Sequence, residues 1–194
     1  MSVKTEIICS GYGGQGVLTT GILIATMGHR SGYKVTWYPS YGTEMRGGTA
    51  NCNVKLSDED IGSPYCREPD ILIAMNEPAL DKFAPALKPG GWLFANASLV
   101  APERLAREDV NAAFVDTEAL AKLAGNARGG NIAMLGVLAR VTGLFERERA
   151  HLAISGYFES KGKGKYNALN TAAFDAGFDA AEGGSEAVAY RRPK

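Results

Sequence analysis

The sequence predicts an α/β protein: a three-layer α/β/α, Rossmann-like domain with a mostly parallel, doubly wound sheet. Its length of 194 residues suits one compact domain. β-prone runs alternate with helical patterns through short connections, as they do when helices cover both faces of a parallel sheet. Glycines cluster directly after the first predicted strand. We therefore predict a single domain over 1–194, with its core at about residues 5–160 and a C-terminal helix and tail at about 165–194.

The first half of the chain predicts three strands and one helix. Residues 5–10 are a β-prone run that stops at a glycine. In residues 15–30, small and apolar side chains recur at three- and four-residue steps, which predicts a helix that lies close to the sheet. Residues 33–38 form a second β-prone run, which we expect Pro39 to close. Residues 49–56 alternate between polar and apolar side chains, and this period predicts a third strand.

The middle of the chain continues the alternation. Residues 70–75 are uninterrupted apolar after the first position, as expected of a buried parallel strand. A helical pattern over 77–88 ends at a Pro-Gly-Gly sequence, and a fifth strand is predicted at 92–96. A sixth strand at 111–116 leads into a helix for which Thr117 is the expected N-cap.

The last third predicts helices only. Residues 131–145 are apolar on most faces, which indicates an internal helix. A final helix contains Leu169, Ala173 and Phe174. Residues 187–194 are expected to fray unless a partner holds them.

Charge and cysteine usage exclude several classes of protein. The 21 basic and 21 acidic side chains balance, whereas a nucleic-acid or membrane-surface protein normally carries a basic excess. No apolar run reaches the roughly 18 residues of a bilayer span, and the N-terminus does not resemble a signal peptide. Cys9, Cys52 and Cys66 form no C-x-x-C motif, which argues against a disulfide framework or an iron–sulfur cluster on this chain. We expect a cytoplasmic protein that binds neither nucleic acid nor membrane.

Glycine is in excess, at 24 residues or about 12% against a usual value of about 7%. Ten of these lie in the first 48 residues, in two clusters. The first cluster falls between the first predicted strand and helix, where glycines permit positive φ and helix N–H groups attract an anion. It therefore predicts a phosphate-binding loop, with a tight turn that binds nothing as the alternative. The candidate residues are Gly11, Tyr12, Gly13, Gly14, Gln15 and Gly16.

A second glycine-rich loop follows the second predicted strand. The loops that leave the strands of a doubly wound sheet share its carboxyl edge, so both clusters are expected to face one crevice. Arg46 would supply a forked donor for a phosphate or carboxylate, although it could instead form a solvated pair with Glu44. No acid follows the second strand, and this absence weakens an NAD-type site. The candidate residues are Tyr41, Gly42, Glu44, Arg46, Gly47 and Gly48.

These two motifs, together with residues 131–136, resemble the gamma subunit of 2-oxoacid:ferredoxin oxidoreductases. The resemblance is continuous from about residue 7 to residue 99, weaker to about residue 145, and faint beyond. Within that family the chain is most similar to the 2-oxoisovalerate and 2-oxoglutarate types. Thr43 departs from the pattern, because proline is expected there.

The resemblance implies an assembly that decarboxylates a 2-oxoacid, forms acyl-CoA and passes two electrons to ferredoxin. Thiamine diphosphate and magnesium are expected on alpha and beta subunits, and iron–sulfur clusters on beta and delta subunits. This chain would carry no catalytic residue and no metal. Its part would be to complete the complex and to help position coenzyme A through the two loops and Asn131. Isolated, it is expected to expose an apolar docking face and to self-associate.

Two other functions stay open on the residues alone. One is an independent enzyme that binds a nucleotide or NAD, and the other is a scaffold subunit whose glycine loops contact only neighbouring chains. Asn131 could act only as a helix N-cap. Cys66 is expected to be an inert thiol, although its neighbour Arg67 could lower its pKa.

Overall fold

The computed structural model describes residues 4–40, 49–183 and 185–193. Within these ranges seven strands form one sheet: β1 (Lys4–Tyr12), β2 (Lys34–Ser40), β3 (Thr49–Ser57), β4 (Ile71–Ala74), β5 (Trp92–Asn96), β6 (Asn111–Val115) and β7 (Val188–Arg191). The same ranges contain six α-helices: α1 (Val17–Arg30), α2 (Glu77–Phe83), α3 (Thr117–Leu123), α4 (Gly130–Thr142), α5 (Arg147–Ser160) and α6 (Asn167–Ala180). None of these helices is long and apolar enough to cross a membrane.

The sheet is mostly parallel, as predicted. Its order is β2-β3-β1-β4-β5-β6-β7, in which β1, β4, β5 and β6 pair in parallel. β3 is antiparallel to both β1 and β2, and β7 is antiparallel to β6. Since β2 therefore runs in the same direction as β1, five of the seven strands point one way. The C-terminal ends of those five strands define a carboxyl edge.

Each face of the sheet has its own core, because successive strand residues point to opposite sides. Ile7 and Cys9 of β1 face the larger core, which β3 shares with α1, α4, α5 and α6. Ile8 faces the smaller core, which is closed by α2 and the segments around it. The large core is centred on α4, whose residues 131–139 are all buried, so the internal helix predicted there is confirmed.

Helices α4 and α6 approach each other at two glycines. A Cβ atom on Gly136 would overlap the carbonyl oxygen of Phe174, and one on Gly177 would overlap the carbonyl oxygen of Ala133. The two backbones are therefore in direct contact, which any larger residue would prevent.

Several predicted boundaries are wrong for identifiable reasons. β1 continues to Tyr12 because its last residues pair with the start of β3. Pro39 lies inside β2, where an edge strand tolerates its missing N–H group. α2 stops at Phe83 and a single 3₁₀ turn follows, since Pro85 cannot continue the α-helical hydrogen bonds. The N-cap of α3 is Asp116, not Thr117: its carboxylate accepts from the Ala119 N–H at 2.9 Å.

The prediction that the C-terminus frays is also wrong for its last strand. β7 pairs with β6 in four-residue register. The Arg191 guanidinium donates to the carbonyl of Leu105 at 3.0 Å and to the carbonyl of Arg107. These contacts join sequence positions more than 80 residues apart, so no local sequence pattern predicts them.

Candidate functional site

The first glycine cluster forms the turn between β1 and α1 at the carboxyl edge. Gly11 and Tyr12 belong to the strand, so the turn itself is residues 13–16 and is shorter than the predicted loop. Gly14 and Gly16 have φ values of 100° and 74°, a left-handed conformation that favours glycine. Tyr12, Gly13 and Gly14 are exposed to solvent. The turn is therefore open to a ligand.

The N-terminus of α1 lacks the polar side chains that usually accept hydrogen bonds from the first N–H groups of a helix. Its N-cap is Gly16, which has no capping side chain, and no acid lies in the first turn. In contrast, Asn76 caps α2 and Asp116 caps α3 through their side chains. The first N–H groups of a helix have no intrahelical acceptor and carry the positive end of its dipole. Among the described residues, α1 thus presents uncapped donors to the exposed turn.

A second helix begins beside this turn. Asn131, in the first turn of α4, donates from Nδ2 to the Gly16 carbonyl and to Thr20 Oγ1, both at 3.3 Å. The N-cap of α4 is Gly129, again without a side-chain cap, and the first turn of α4 contains no acid. Two helix N-termini therefore meet at the carboxyl edge. Asn131 does not act as an N-cap, so that alternative is wrong.

Gln15 does not project from the turn but folds back beneath it. Its Oε1 accepts from the Tyr12 N–H at 2.6 Å, and its Nε2 donates to the Met75 carbonyl at 2.9 Å. A Cβ atom on Gly11 would lie 2.6 Å from Gln15 Oε1, so the glycine makes room for the amide. The amide ties the turn to the residue that follows β4.

All six candidates of the second loop lie outside the described residues: Tyr41, Gly42, Glu44, Arg46, Gly47 and Gly48. The described ends of that segment are informative. Ser40 pairs with Asn51, and Thr49 pairs with Tyr12, the residue before the glycine turn. Both ends therefore lie at the carboxyl edge. The expectation that the two glycine clusters face one crevice stays a prediction.

A row of polar residues continues this edge and was not predicted. Asn76 follows β4, Asn96 ends β5, and Thr117 follows β6. Asn96 donates from Nδ2 to the Met75 carbonyl at 3.4 Å and accepts from Thr117 Oγ1 at 2.7 Å. A polar side chain at the C-terminal end of each parallel strand is the sequence signal that could have revealed them.

Two of the three thiols are buried, and Cys66 is half-buried. Cys9 and Cys52 are directly opposite each other on β1 and β3, and both are fully buried. Their mutual hydrogen bond, followed by burial, raises the pKa of Cys9 well above its ordinary value, and the same bond lowers the pKa of Cys52. Burial and the nearby Glu6 raise the pKa of Cys66 to about 12. This shift is opposite to the one that Arg67 would cause.

We expect native protein at pH 8 to show no fast-reacting thiol towards a disulfide reagent such as DTNB. Roughly 10⁻⁴ of Cys66 is ionised at that pH, and Cys52 is shielded by burial. Unfolding in guanidinium should release three equivalents per chain. A Cys66→Ser variant is the control that assigns any signal. One equivalent that reacts within seconds in native wild-type protein and is lost in this variant would contradict the assignment.

Fold and site together define a class of protein. The glycine turn opens α1 as in nucleotide-binding α/β domains, yet the strand beside β1 on that side is the antiparallel β3. A dinucleotide site needs a parallel neighbour that ends in an acid for the ribose hydroxyls. Here β2 ends at Pro39-Ser40. The class is therefore an α/β domain with an open glycine turn before its first helix, and its strand arrangement is distinct from that of the dehydrogenases.

Comparison with known proteins identifies the family. Residues 6–180 match the family described as pyruvate ferredoxin/flavodoxin oxidoreductase, and the chain belongs to it. It is 38% identical over 178 residues to the ketoisovalerate oxidoreductase subunit VorA of Methanothermobacter marburgensis. The matched residues cover 91% of this chain and 36% of VorA. It is 32% identical over 187 residues to the 2-oxoglutarate synthase subunit KorC of Methanocaldococcus jannaschii, with 94% and 96% covered. The chain thus spans about a third of VorA and nearly all of KorC.

Solved structures agree with this result. The gamma subunit of a keto/oxoacid ferredoxin oxidoreductase from Geobacter sulfurreducens has a TM-score of 0.80 at 29% identity, with 96% of this chain and 99% of that chain covered. A 2-oxoglutarate:ferredoxin oxidoreductase from Magnetococcus marinus, with 2-oxoglutarate, coenzyme A and succinyl-CoA bound, has a TM-score of 0.80 at 26% identity. That match covers 98% of this chain and 33% of the other. The resemblance inferred from the glycine motifs is confirmed, as is the fold class.

Proposed function

We propose that the chain is the gamma-type subunit of a 2-oxoacid:ferredoxin oxidoreductase, and that its carboxyl edge holds the phosphate end of coenzyme A. The assembled enzyme would convert a 2-oxoacid, coenzyme A and oxidised ferredoxin into acyl-CoA, carbon dioxide and reduced ferredoxin. Thiamine diphosphate, magnesium and the iron–sulfur clusters would lie on alpha, beta and delta partner subunits in the cytoplasm. The names of the relatives support the reaction class, and a related enzyme binds coenzyme A.

The observation that carries the proposal is the uncapped N-terminus of α1. Its N–H groups and dipole favour an anion, and no carboxylate in its first turn competes. The 14-residue length of α1 gives a full dipole. Coenzyme A brings three phosphates, so its anionic end suits main-chain donors. Arg46, the one basic residue in 41–48, would add a bidentate contact from the adjoining segment.

This chain would contribute binding and orientation. The thiol of coenzyme A must reach an intermediate held by another subunit, and fixing the phosphate end confines the long pantetheine arm. Positioning of this kind accelerates a reaction by converting a bimolecular encounter into a unimolecular one. The turn at residues 13–16 offers main-chain donors, which suit that task and need no proton transfer.

Introducing an acid into the first turn of α1 tests the proposal. Thr19 is the third residue of the helix and is half-buried. In Thr19→Glu the carboxylate should stabilise the helix dipole by about 0.5 kcal/mol while repelling a phosphate. We expect the KM for coenzyme A of the assembled enzyme to rise about tenfold, with the KM for the 2-oxoacid unchanged. Steady-state kinetics and denaturant unfolding measure the two effects.

Thr19→Gln is the matched control, because it has the length of glutamate without the charge. An unchanged KM for coenzyme A in Thr19→Glu would overturn the phosphate site. Titration of the chain with NADH tests the independent-enzyme alternative, which requires tight binding. The scaffold alternative requires that Thr19→Glu leave the kinetics unchanged while partner subunits still copurify.

A further inference from the structure

We infer that Gln15 and Asn131 are positioning residues: their side-chain amides hold the two ends of the glycine turn without contacting the ligand. The inference rests on the proposed function of that turn. It changes the role of two residues whose type and place in the sequence suggested direct contact with coenzyme A. We call this pair of amides the clamp.

Gln15 fixes the beginning of the turn. Its Oε1 accepts from the Tyr12 N–H at 2.6 Å, and Asn76 Nδ2 lies 3.4 Å from the same oxygen. Its Nε2 donates to the Met75 carbonyl at 2.9 Å. These bonds use the amide oxygen and one of the two Nε2 hydrogens within the protein. They also join the end of β1 to the end of β4.

Asn131 fixes the end of the turn. It is 9% exposed, and its Nδ2 donates to the Gly16 carbonyl and to Thr20 Oγ1. Thr20 Oγ1 itself donates to the Gly16 carbonyl at 3.1 Å. A Cβ atom on Gly16 would lie 2.7 Å from Asn131 Nδ2. The glycine is therefore needed both for its φ of 74° and for the approach of this amide.

The clamp is anchored in the rigid part of the fold. The Met75 carbonyl accepts hydrogen bonds from both Gln15 Nε2 and Asn96 Nδ2. Asn96 Oδ1 in turn accepts a hydrogen bond from Thr117 Oγ1. Asn96 is 4% exposed and Thr117 is 3% exposed. A continuous set of hydrogen bonds thus links the turn to β4, to β5 and to the start of α3. Asn131 links it to α4.

The physical need for a clamp follows from the composition of the turn. Glycine loses more conformational freedom on ordering than any other residue, so a free Gly-Gly-Gln-Gly turn would populate many states. A ligand would then have to order the turn when it binds, and its affinity would fall accordingly. The two amides order the turn in advance, so that the first N–H groups of α1 already point at the anion.

Gln15→Met tests this role, because methionine is close to glutamine in size and forms none of its hydrogen bonds. In the ligand-free chain we expect amide hydrogen exchange of residues 12–18 to accelerate about tenfold or more, with β5 unaffected. In the assembled enzyme we expect the KM for coenzyme A to rise about tenfold, with kcat and the KM for the 2-oxoacid nearly unchanged. Asn131→Leu should produce the same pattern from the other end of the turn.

Asn111→Leu is the matched control. Asn111 donates from Nδ2 to the Gly90 carbonyl at 2.8 Å at the amino edge of the sheet, so its loss should change neither the exchange of residues 12–18 nor the KM for coenzyme A. Unchanged exchange in both Gln15→Met and Asn131→Leu would overturn the clamp. The clamp would also be overturned if Gln15→Met and Asn131→Leu accelerate exchange but leave the KM for coenzyme A unchanged, while Thr19→Glu raises that KM. The exchange measurement contains no coenzyme A, so a failed clamp is distinguishable from a failed phosphate site.

Discussion

Gly177→Ala is expected to lower the free energy of unfolding of the chain by about 2 kcal/mol or more. A Cβ atom at this position would overlap the carbonyl oxygen of Ala133, which belongs to the backbone of α4 and cannot rotate away. Relief requires the two helices to separate, and α4 is the centre of the larger core. Alanine gains about 1 kcal/mol of helix propensity over glycine, which is too little to offset the overlap.

Gly156→Ala provides the matched control for this prediction. Gly156 also lies within a helix, α5, and its added Cβ atom would meet only the end of the Arg30 side chain at 3.4 Å. Here the propensity gain should prevail, so stability should rise by up to about 1 kcal/mol. Urea unfolding followed by circular dichroism measures both variants. If both stabilise the chain equally, the direct contact between the α4 and α6 backbones is wrong.

The sequence predicts element types well because periodicity is local. The apolar run of β4 and the mixed pattern of β5 identify strands without reference to any other part of the chain. Strand direction is a different matter. Alternation identifies β3 as a strand, yet nothing in it shows that β3 inserts between β1 and β2 in the antiparallel direction. The sequence does not predict β7 for a related reason. Its four residues form a strand because they pair with β6 and because Arg191 donates to the carbonyl of the distant Leu105.

The site shows the same division. The sequence predicts that the glycine turn precedes a helix, because the glycine motif and the helix are adjacent in the chain. The sequence does not predict what the amides of Gln15 and Asn131 do. Gln15 and its acceptor Met75 are 60 residues apart, and Asn131 and Gly16 are 115 residues apart. The sequence likewise does not predict that Cys9 and Cys52 face each other, because their contact depends on the pairing of β1 with β3. The contribution of Arg46 stays a prediction, since it lies outside the described residues.

A buried ion pair at the other end of β1 leads to the second large effect. Glu6 and Lys55 are directly opposite each other on β1 and β3, with Nζ 3.0 Å from Oε1 and side chains 9% and 8% exposed. Lys4 also lies 3.4 Å from Glu6, but it is largely solvated. Among the residues that the structure describes, Lys55→Met would leave the buried carboxylate of Glu6 with Lys4 as its one ion-pair partner, and that partner is screened by solvent. We expect the free energy of unfolding to fall by about 3 kcal/mol.

A double-mutant cycle measures the coupling of this pair. Glu6→Gln combined with Lys55→Met removes both charges, so the double variant should lose far less stability than the sum of the single variants. Lys34→Met is the control, because Lys34 and Asp60 form an exposed pair whose loss should change stability by under about 1 kcal/mol. A Lys55→Met loss no larger than that of Lys34→Met would show that the pair is solvated.

The same variant separates stability from ligand binding. Glu6 lies six positions before Tyr12 in β1, a distance of roughly 20 Å at the rise of an extended strand. The ion pair therefore supports the amino end of β1, while Gln15 and Asn131 hold the turn beyond its carboxyl end. Lys55→Met enzyme that still assembles should retain the wild-type KM for coenzyme A, whereas Gln15→Met should raise that KM with little loss of stability. If Lys55→Met raised the KM as much, the turn would depend on the stability of the whole sheet and not on its own two amides.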